Sequence, residues 1–246
     1  AHKMFCALSI ASFALVSVLP QEPEWHGTAD AGLVLLSGNN SSSTATIRGE
    51  AKLEEGTYRW ILGLLYSGVR QSEQSTGISS TTSRLLDLSA EHHRFFDDAN
   101  DFYAYGKGSG RSDEPNGLSH RTDVGLGIGH TWRWDEGKTS LNFEGGPSMV
   151  RENNVGALSD SAWTSRLAAR LDSPLSDKLT LTSKVEYFQS MSRAEDASAT
   201  TECGLRWSLA GDWFLQFTSS LSWDGTPAPG FEQTDYRQSF TLGTSF

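Results

Sequence analysis

The chain of 246 residues carries 20 basic and 30 acidic side chains, a formal charge of −10, with 24 glycines, 7 prolines and an apolar share of 37%. That length suits one large all-β domain or two small ones, and a low apolar share with abundant Gly, Ser and Thr fits many strands joined by turns. No basic run offers attraction to phosphate, so a nucleic-acid partner is excluded, and the acidity reads first as solubility.

Residues 1–20 differ in kind from the rest of the chain. His2 and Lys3 precede an apolar run from Met4 to Leu19, closed by Pro20 and a polar stretch. The run is short for a membrane-spanning helix and suits a secretory signal peptide, leaving 21–246 as the mature domain. Cys6 lies in that leader without a lipobox. Cys203 then stands alone, a packing residue with no disulfide partner. Beyond Leu19 no apolar run reaches helix-spanning length, so any membrane insertion must be as a closed barrel.

From Trp25 onward, twelve strand-length segments alternate with turn signals. The first runs to Ser37 and breaks at Gly38–Ser41. In the second, Ser43–Leu53, Ala45, Ile47, Gly49, Ala51 and Leu53 oppose Arg48, Glu50 and Lys52. The third, Tyr58–Arg70, sets Tyr58, Trp60, Leu62, Leu64 and Tyr66 on one face, aromatics at both ends of an aliphatic centre. A bilayer asks for that order, because Tyr and Trp favour the headgroup level and Leu the hydrocarbon. After a polar loop at Gln71–Ser80, the fourth segment is Thr81–Phe96. The fifth, Asp101–Arg111, carries Tyr103, Tyr105 and Lys107 on one face and mostly glycine on the other, which leaves its orientation open. In the sixth, Arg121–Trp134, Val124, Leu126, Ile128, His130, Trp132 and Trp134 oppose Asp123 and Gly125, Gly127 and Gly129.

The seventh is Thr139–Val150. The eighth sets Trp163, Leu167, Ala169 and Leu171 against Arg166 and Arg170, and Asp172–Lys178 reads as the turn after it. The ninth sets Leu179, Leu181, Val185 and Tyr187 against Lys184 and Glu186. The tenth sets Cys203, Leu205, Trp207 and Leu209 against Glu202 and Arg206. Trp213, Leu215, Phe217, Leu221 and Trp223 mark the eleventh. The twelfth, Thr234–Phe246, carries Tyr236, Phe240, Leu242 and Phe246 on one face and Asp235 and Arg237 on the other. Short and long connections alternate along the chain. With an even strand count, this predicts an up-and-down antiparallel transmembrane β-barrel, both termini on the short-turn side.

With the apolar positions on lipid, the interior is lined by Arg48, Glu50, Lys52, Asp87, Glu91, Lys107, Asp123, Arg166, Arg170, Lys184, Glu186, Glu202, Arg206, Asp235 and Arg237. Both signs are near balance, and a round twelve-strand barrel measures on the order of 24 Å across its backbone. The charges read either as pairs that fill the interior or as the lining of a narrow channel. Adjacent His92 and His93 point to opposite faces of a strand and cannot share a metal. Ser119, His120 and Asp123 read as loop-edge residues rather than a catalytic triad, and the alternating glycines open no helix, so they are no dinucleotide fingerprint. No catalytic, cofactor or metal site is expected.

Trp25-His26-Gly27, Gly32, Ser37-Gly38-Asn39-Asn40-Ser41, Arg94-Phe95-Phe96 and the terminal Phe246 together resemble the YdiY-like family of salt-induced outer-membrane proteins, of unknown function. The resemblance implies a monomeric barrel in a Gram-negative outer membrane, with lipid around it and the assembly machinery as partner. That machinery would read Phe246, Leu242, Phe240 and Tyr236 as an end signal. The expected function is a narrow channel for small solutes or ions with a link to salt or envelope stress. The alternatives are a plugged structural or adhesive barrel and a secreted soluble β-sandwich.

Overall fold

The computed structural model describes residues 25–246 apart from 37–39, 74–78, 98, 157–158 and 228; the expected leader at 1–20 lies outside the described residues. Twelve strands succeed one another: β1 (Trp25–Leu36), β2 (Asn40–Glu55), β3 (Tyr58–Glu73), β4 (Ser79–Phe95), β5 (Phe102–Asp113), β6 (Leu118–Trp134), β7 (Thr139–Asn154), β8 (Asp160–Ser176), β9 (Leu179–Ser190), β10 (Ala197–Ser208), β11 (Trp213–Asp224) and β12 (Thr234–Ser245). Each pairs antiparallel with its chain neighbours, and β12 pairs with β1, so the sheet is a closed barrel. Closure excludes the β-sandwich alternative, since no sheet edge remains to form a second layer.

The reason for this fold is a period of two that holds for most of the chain. Trp60, Leu62 and Leu64 on β3, Leu86 and Leu88 on β4, and Val124, Leu126 and Ile128 on β6 are all exposed, while Ser67, Ser83, His93, Asp123 and Thr131 on the same strands are buried. The molecule is thus inside out relative to a water-soluble protein, with apolar side chains on the outer face and polar ones within, the arrangement a bilayer imposes. Trp132, Trp134, Trp207 and Trp213 stand exposed near the short-turn end, where amphipathic rings suit a membrane interface. No described helix is long and apolar enough to cross a membrane.

Two expectations need correction. The polar stretches at Gln71–Ser80 and Asp172–Lys178 are not wholly connections: β3 runs to Glu73, β4 starts at Ser79 and β8 continues to Ser176. Past the apolar belt both strand faces meet water, so hydrophobic alternation stops while the backbone ladder goes on. The orientation left open for β5 is settled by its neighbours. Tyr103, Tyr105 and Lys107 are buried inside, and a Cβ on Gly106, Gly108 or Gly110 would point into open space outside.

Candidate functional site: a lumen crossed by ion pairs

Tyr103 and Tyr105 lie against a slot in the adjoining strand. A Cβ on Gly127 would stand 2.8 Å from the Tyr105 ring, and one on Gly129 would stand 2.6 Å from Tyr103 Cε2. The glycines of β6 therefore make room for rings from β5, which explains why β6 alternates glycine with large outward residues. His93 of β4 stacks on Tyr103 with centroids 4.3 Å apart, and Phe95 meets Tyr103 edge-on at 5.2 Å.

On this aromatic floor rests a chain of charges. His93 Nε2 lies 2.6 Å from Glu91 Oε1 and 3.7 Å from Glu144 Oε1. The Tyr103 hydroxyl donates to Glu144 Oε1 at 3.0 Å. Arg166, 2% exposed, donates from Nη1 to Glu144 at 2.9 Å and from Nε to Glu186 at 2.6 Å. Lys107 also donates to Glu186. Buried carboxylates cost several kcal/mol each unless paired, and every carboxylate of this network has a partner. Glu91, His93 and Glu144 bring ligand atoms within 4.8 Å of one another, as a metal site would. However, Arg166 and Tyr103 already hold Glu144, and the buried Nδ1 of His93 has no partner among the described residues. A metal-bound histidine normally donates its second N–H, so the trio fits a hydrogen-bonded brace better than a metal centre.

Other pairs cross or line the lumen. Arg170 of β8 donates to both oxygens of Glu50 on β2 at 2.9 and 3.0 Å. In strand order β2 and β8 stand opposite one another. Two side chains and a hydrogen bond fall short of a round barrel's width, so the wall is drawn in there below the scale of about 24 Å. Arg48 reaches Glu202 of β10 at 2.9 Å and Thr218 of β11 at 3.2 Å. Arg237 of β12 reaches Asp113 and Ser83 at 3.3 Å each. Arg121 reaches Glu152 and Ser198. Lys52 sits 3.1 Å from Glu50. Arg206 lies over the Phe214 ring at 4.3 Å and donates to Gln216.

Two of the spaces that these bridges leave lie toward opposite ends of the barrel. A cavity of about 230 Å³ at the end bearing Asn116 and Phe231 is lined in part by Asp87, Lys107, Asp123, Glu186, Glu202, Asp235 and Arg237. One of about 340 Å³ toward the short turns is lined in part by Glu50, Lys52, Glu91, Arg166 and Arg170. Ser89 and Lys184 line both. At the outer rim, Arg193 pairs with Asp160 and Asp196 and holds the Asp160 carboxyl below the usual range. Ser119 and His120 do not converge with a third group: Asp123 accepts from Ser109 instead, and His120 points outward. His92 lies on the outer face against the Trp60 ring, centroids 4.3 Å apart. On β12, Tyr236, Phe240, Leu242 and Phe246 are exposed on the outside.

Sequence reasoning missed His93, Glu144, Asp113 and Asp30. Glu144 had a usable signal, since Asn142, Glu144 and Ser148 alternate with Phe143 and Met149 along β7.

The model of the family described as "Protein of unknown function, DUF481" matches residues 29–246. No curated protein matches the chain. Among solved structures, a NanC porin superposes with a TM-score of 0.52 at 8% identity, over 89% of this chain and 98% of that one. An outer membrane channel from Pseudomonas putida F1 gives 0.47 at 13%, over 94% and 100%. The translocator domain of the autotransporter NalP from Neisseria meningitidis gives 0.44 at 15%, over 90% and 86%. At such identities the likeness to the porin speaks for the fold alone, an outer-membrane type of β-barrel.

Proposed function

We propose, for a chain that belongs to the family of unknown function DUF481, that it resides in a bacterial outer membrane as a narrow channel for small polar solutes or ions. Its constriction is the band of ion pairs across the lumen. The observation that carries this reading is the pair of polar cavities, one toward each end, that share Ser89 and Lys184 as lining. No catalytic step is assigned to the lumen residues, and the tie to salt or envelope stress rests on the family resemblance.

The test is conductance of the folded protein in planar lipid bilayers. Steps of small amplitude are expected from the native chain. The double substitution Arg170→Ala with Glu50→Ala, which removes a bridge between opposite walls without leaving a lone charge, is expected to enlarge them. Absence of steps in both proteins overturns the channel.

The same bridges favour a second reading, a plugged structural barrel. Arg170–Glu50, Arg48–Glu202 and Arg237–Asp113 tie distant strands as struts would. That reading gains if the double variant loses stability and neither protein conducts.

A further inference from the structure

Most cations of the lumen are already engaged. Lys107 and Arg166 hold Glu186, Arg48 holds Glu202, and Arg170 holds Glu50 and Asp172. Lys184 forms no ion pair among the described residues. It sits mid-strand on β9, beside Glu202 in the β9–β10 register, with Glu186 two residues along the same face and Glu91 lining the second cavity with it. Of the carboxylates among these, Glu186 and Glu202 are held by the partners just named and Glu91 by His93. Although Lys184 lies deep within the barrel, its side chain is exposed. A residue can be both only where it projects into open lumen space, and Lys184 lines both cavities together with Ser89. An ammonium presents three donors and a full charge. Unpaired, wet and placed where two spaces meet, it is free to receive a passing ligand, and the Ser89 hydroxyl lining the same junction adds a neutral donor.

We propose that Lys184, with Ser89, forms an anion-binding site at the junction of the two cavities and makes the passage prefer small anions over cations. The inference rests on the channel reading for its selectivity, and its first test does not need conductance.

Ser89→Cys is introduced in a Cys203→Ser background, because Cys203 is an exposed thiol of its own. Anionic and cationic methanethiosulfonate reagents are then compared for their rates at position 89, read by peptide mass spectrometry. Unit charges about 4 Å apart in water alter a local equilibrium about fivefold, favouring the anionic reagent and disfavouring the cationic one, so the anionic reagent is expected to react up to about 25-fold faster. With Lys184→Gln added, the two rates should converge, and with Lys184→Glu the preference should invert. Lys184→Arg should keep it, which separates charge from packing, and the mobility shift between unheated and boiled samples shows that each variant is folded. Equal rates with Lys184 in place, a preference that survives Lys184→Gln, or failure of both reagents to reach position 89 overturns the site. In bilayers under a salt gradient, the reversal potential should lie on the anion side and move toward the cation side in Lys184→Glu. A silent native protein overturns the channel while the modification rates still decide the site; a conducting protein whose reversal potential ignores position 184 overturns the selectivity.

Discussion

Between β4 and β8 the inner wall is held by side chains. His93 stacks on Tyr103, Tyr103 donates to Glu144, and Arg166 joins Glu144 to Glu186. Among the described residues the seam between β12 and β1 carries no ion pair. Its ladder runs from Thr28–Ser245 to Ala31–Leu242 and stops there, whereas β3 and β4 stay paired from Tyr58–Arg94 to Ser72–Ser79. At the short-turn end of the seam, Gly27 and Phe246 exchange backbone hydrogen bonds of 2.9 and 3.0 Å. Asp30 of β1 and Thr241 of β12 face in beside it, both buried, and Asp30 forms no ion pair among the described residues. The wall is thus secured by paired charge and ring packing, the seam by a short run of backbone bonds. These two kinds of closure should fail differently.

The largest effect is expected in the wall. Arg166→Ala leaves Glu144 and Glu186 buried with fewer partners, and breaking a buried pair in this way costs about 3–5 kcal/mol. The urea midpoint for loss of the heat-modifiable band in lipid should fall sharply. An unchanged midpoint would mean that the charge chain is ornamental and the wall no stronger than the seam.

Next comes Gly129→Val, which drives a branched side chain into the space of the Tyr103 ring. Overpacking costs typically about 1–3 kcal/mol, and the same midpoint reads it. Gly108→Val is the matched control, because its Cβ would meet nothing within 4 Å on the outer face. Equal losses in the two variants would show that strand propensity, not the ring slot, decides the cost.

Much of this architecture is legible in the residues themselves. Trp60, Leu62 and Leu64, or Val124, Leu126 and Ile128, declare their face because alternation is local and only one face meets lipid. The inward set is then fixed by parity, which places Arg48, Arg170 and Glu186 in the lumen. What parity cannot say is which of them meet. Arg170 finds Glu50 across the barrel only through closure and the stagger of every ladder between them, and no window of residues contains that sum. Tyr103 and Tyr105 hid for another reason: tyrosine suits lumen and interface alike, and glycine opposite it has no side chain to declare a face. The glycines of β6 held the missing clue, since inward glycines on one strand leave a space that large side chains of the next can fill.

The smallest equilibrium effect is expected at the seam, where deleting Phe246 removes the two backbone bonds to Gly27. Each is worth about 1 kcal/mol net, less in sum than the loss at Arg166. Its consequence should appear in folding yield rather than in the midpoint. The β1–β12 ladder is short, and a barrel cannot close until its first and last strands pair, so losing the terminal residue of that ladder should slow closure and leave more unpaired chain. Phe246→Ala separates the two contributions: it keeps both backbone bonds and removes only the exposed ring. If the deletion lowers the yield of heat-modifiable protein in unassisted refolding while Phe246→Ala does not, the backbone bonds close the seam. If both fall in cells but neither falls in unassisted refolding, the ring is read by the assembly machinery, and the weakness of the seam lies in its recognition rather than in its energy.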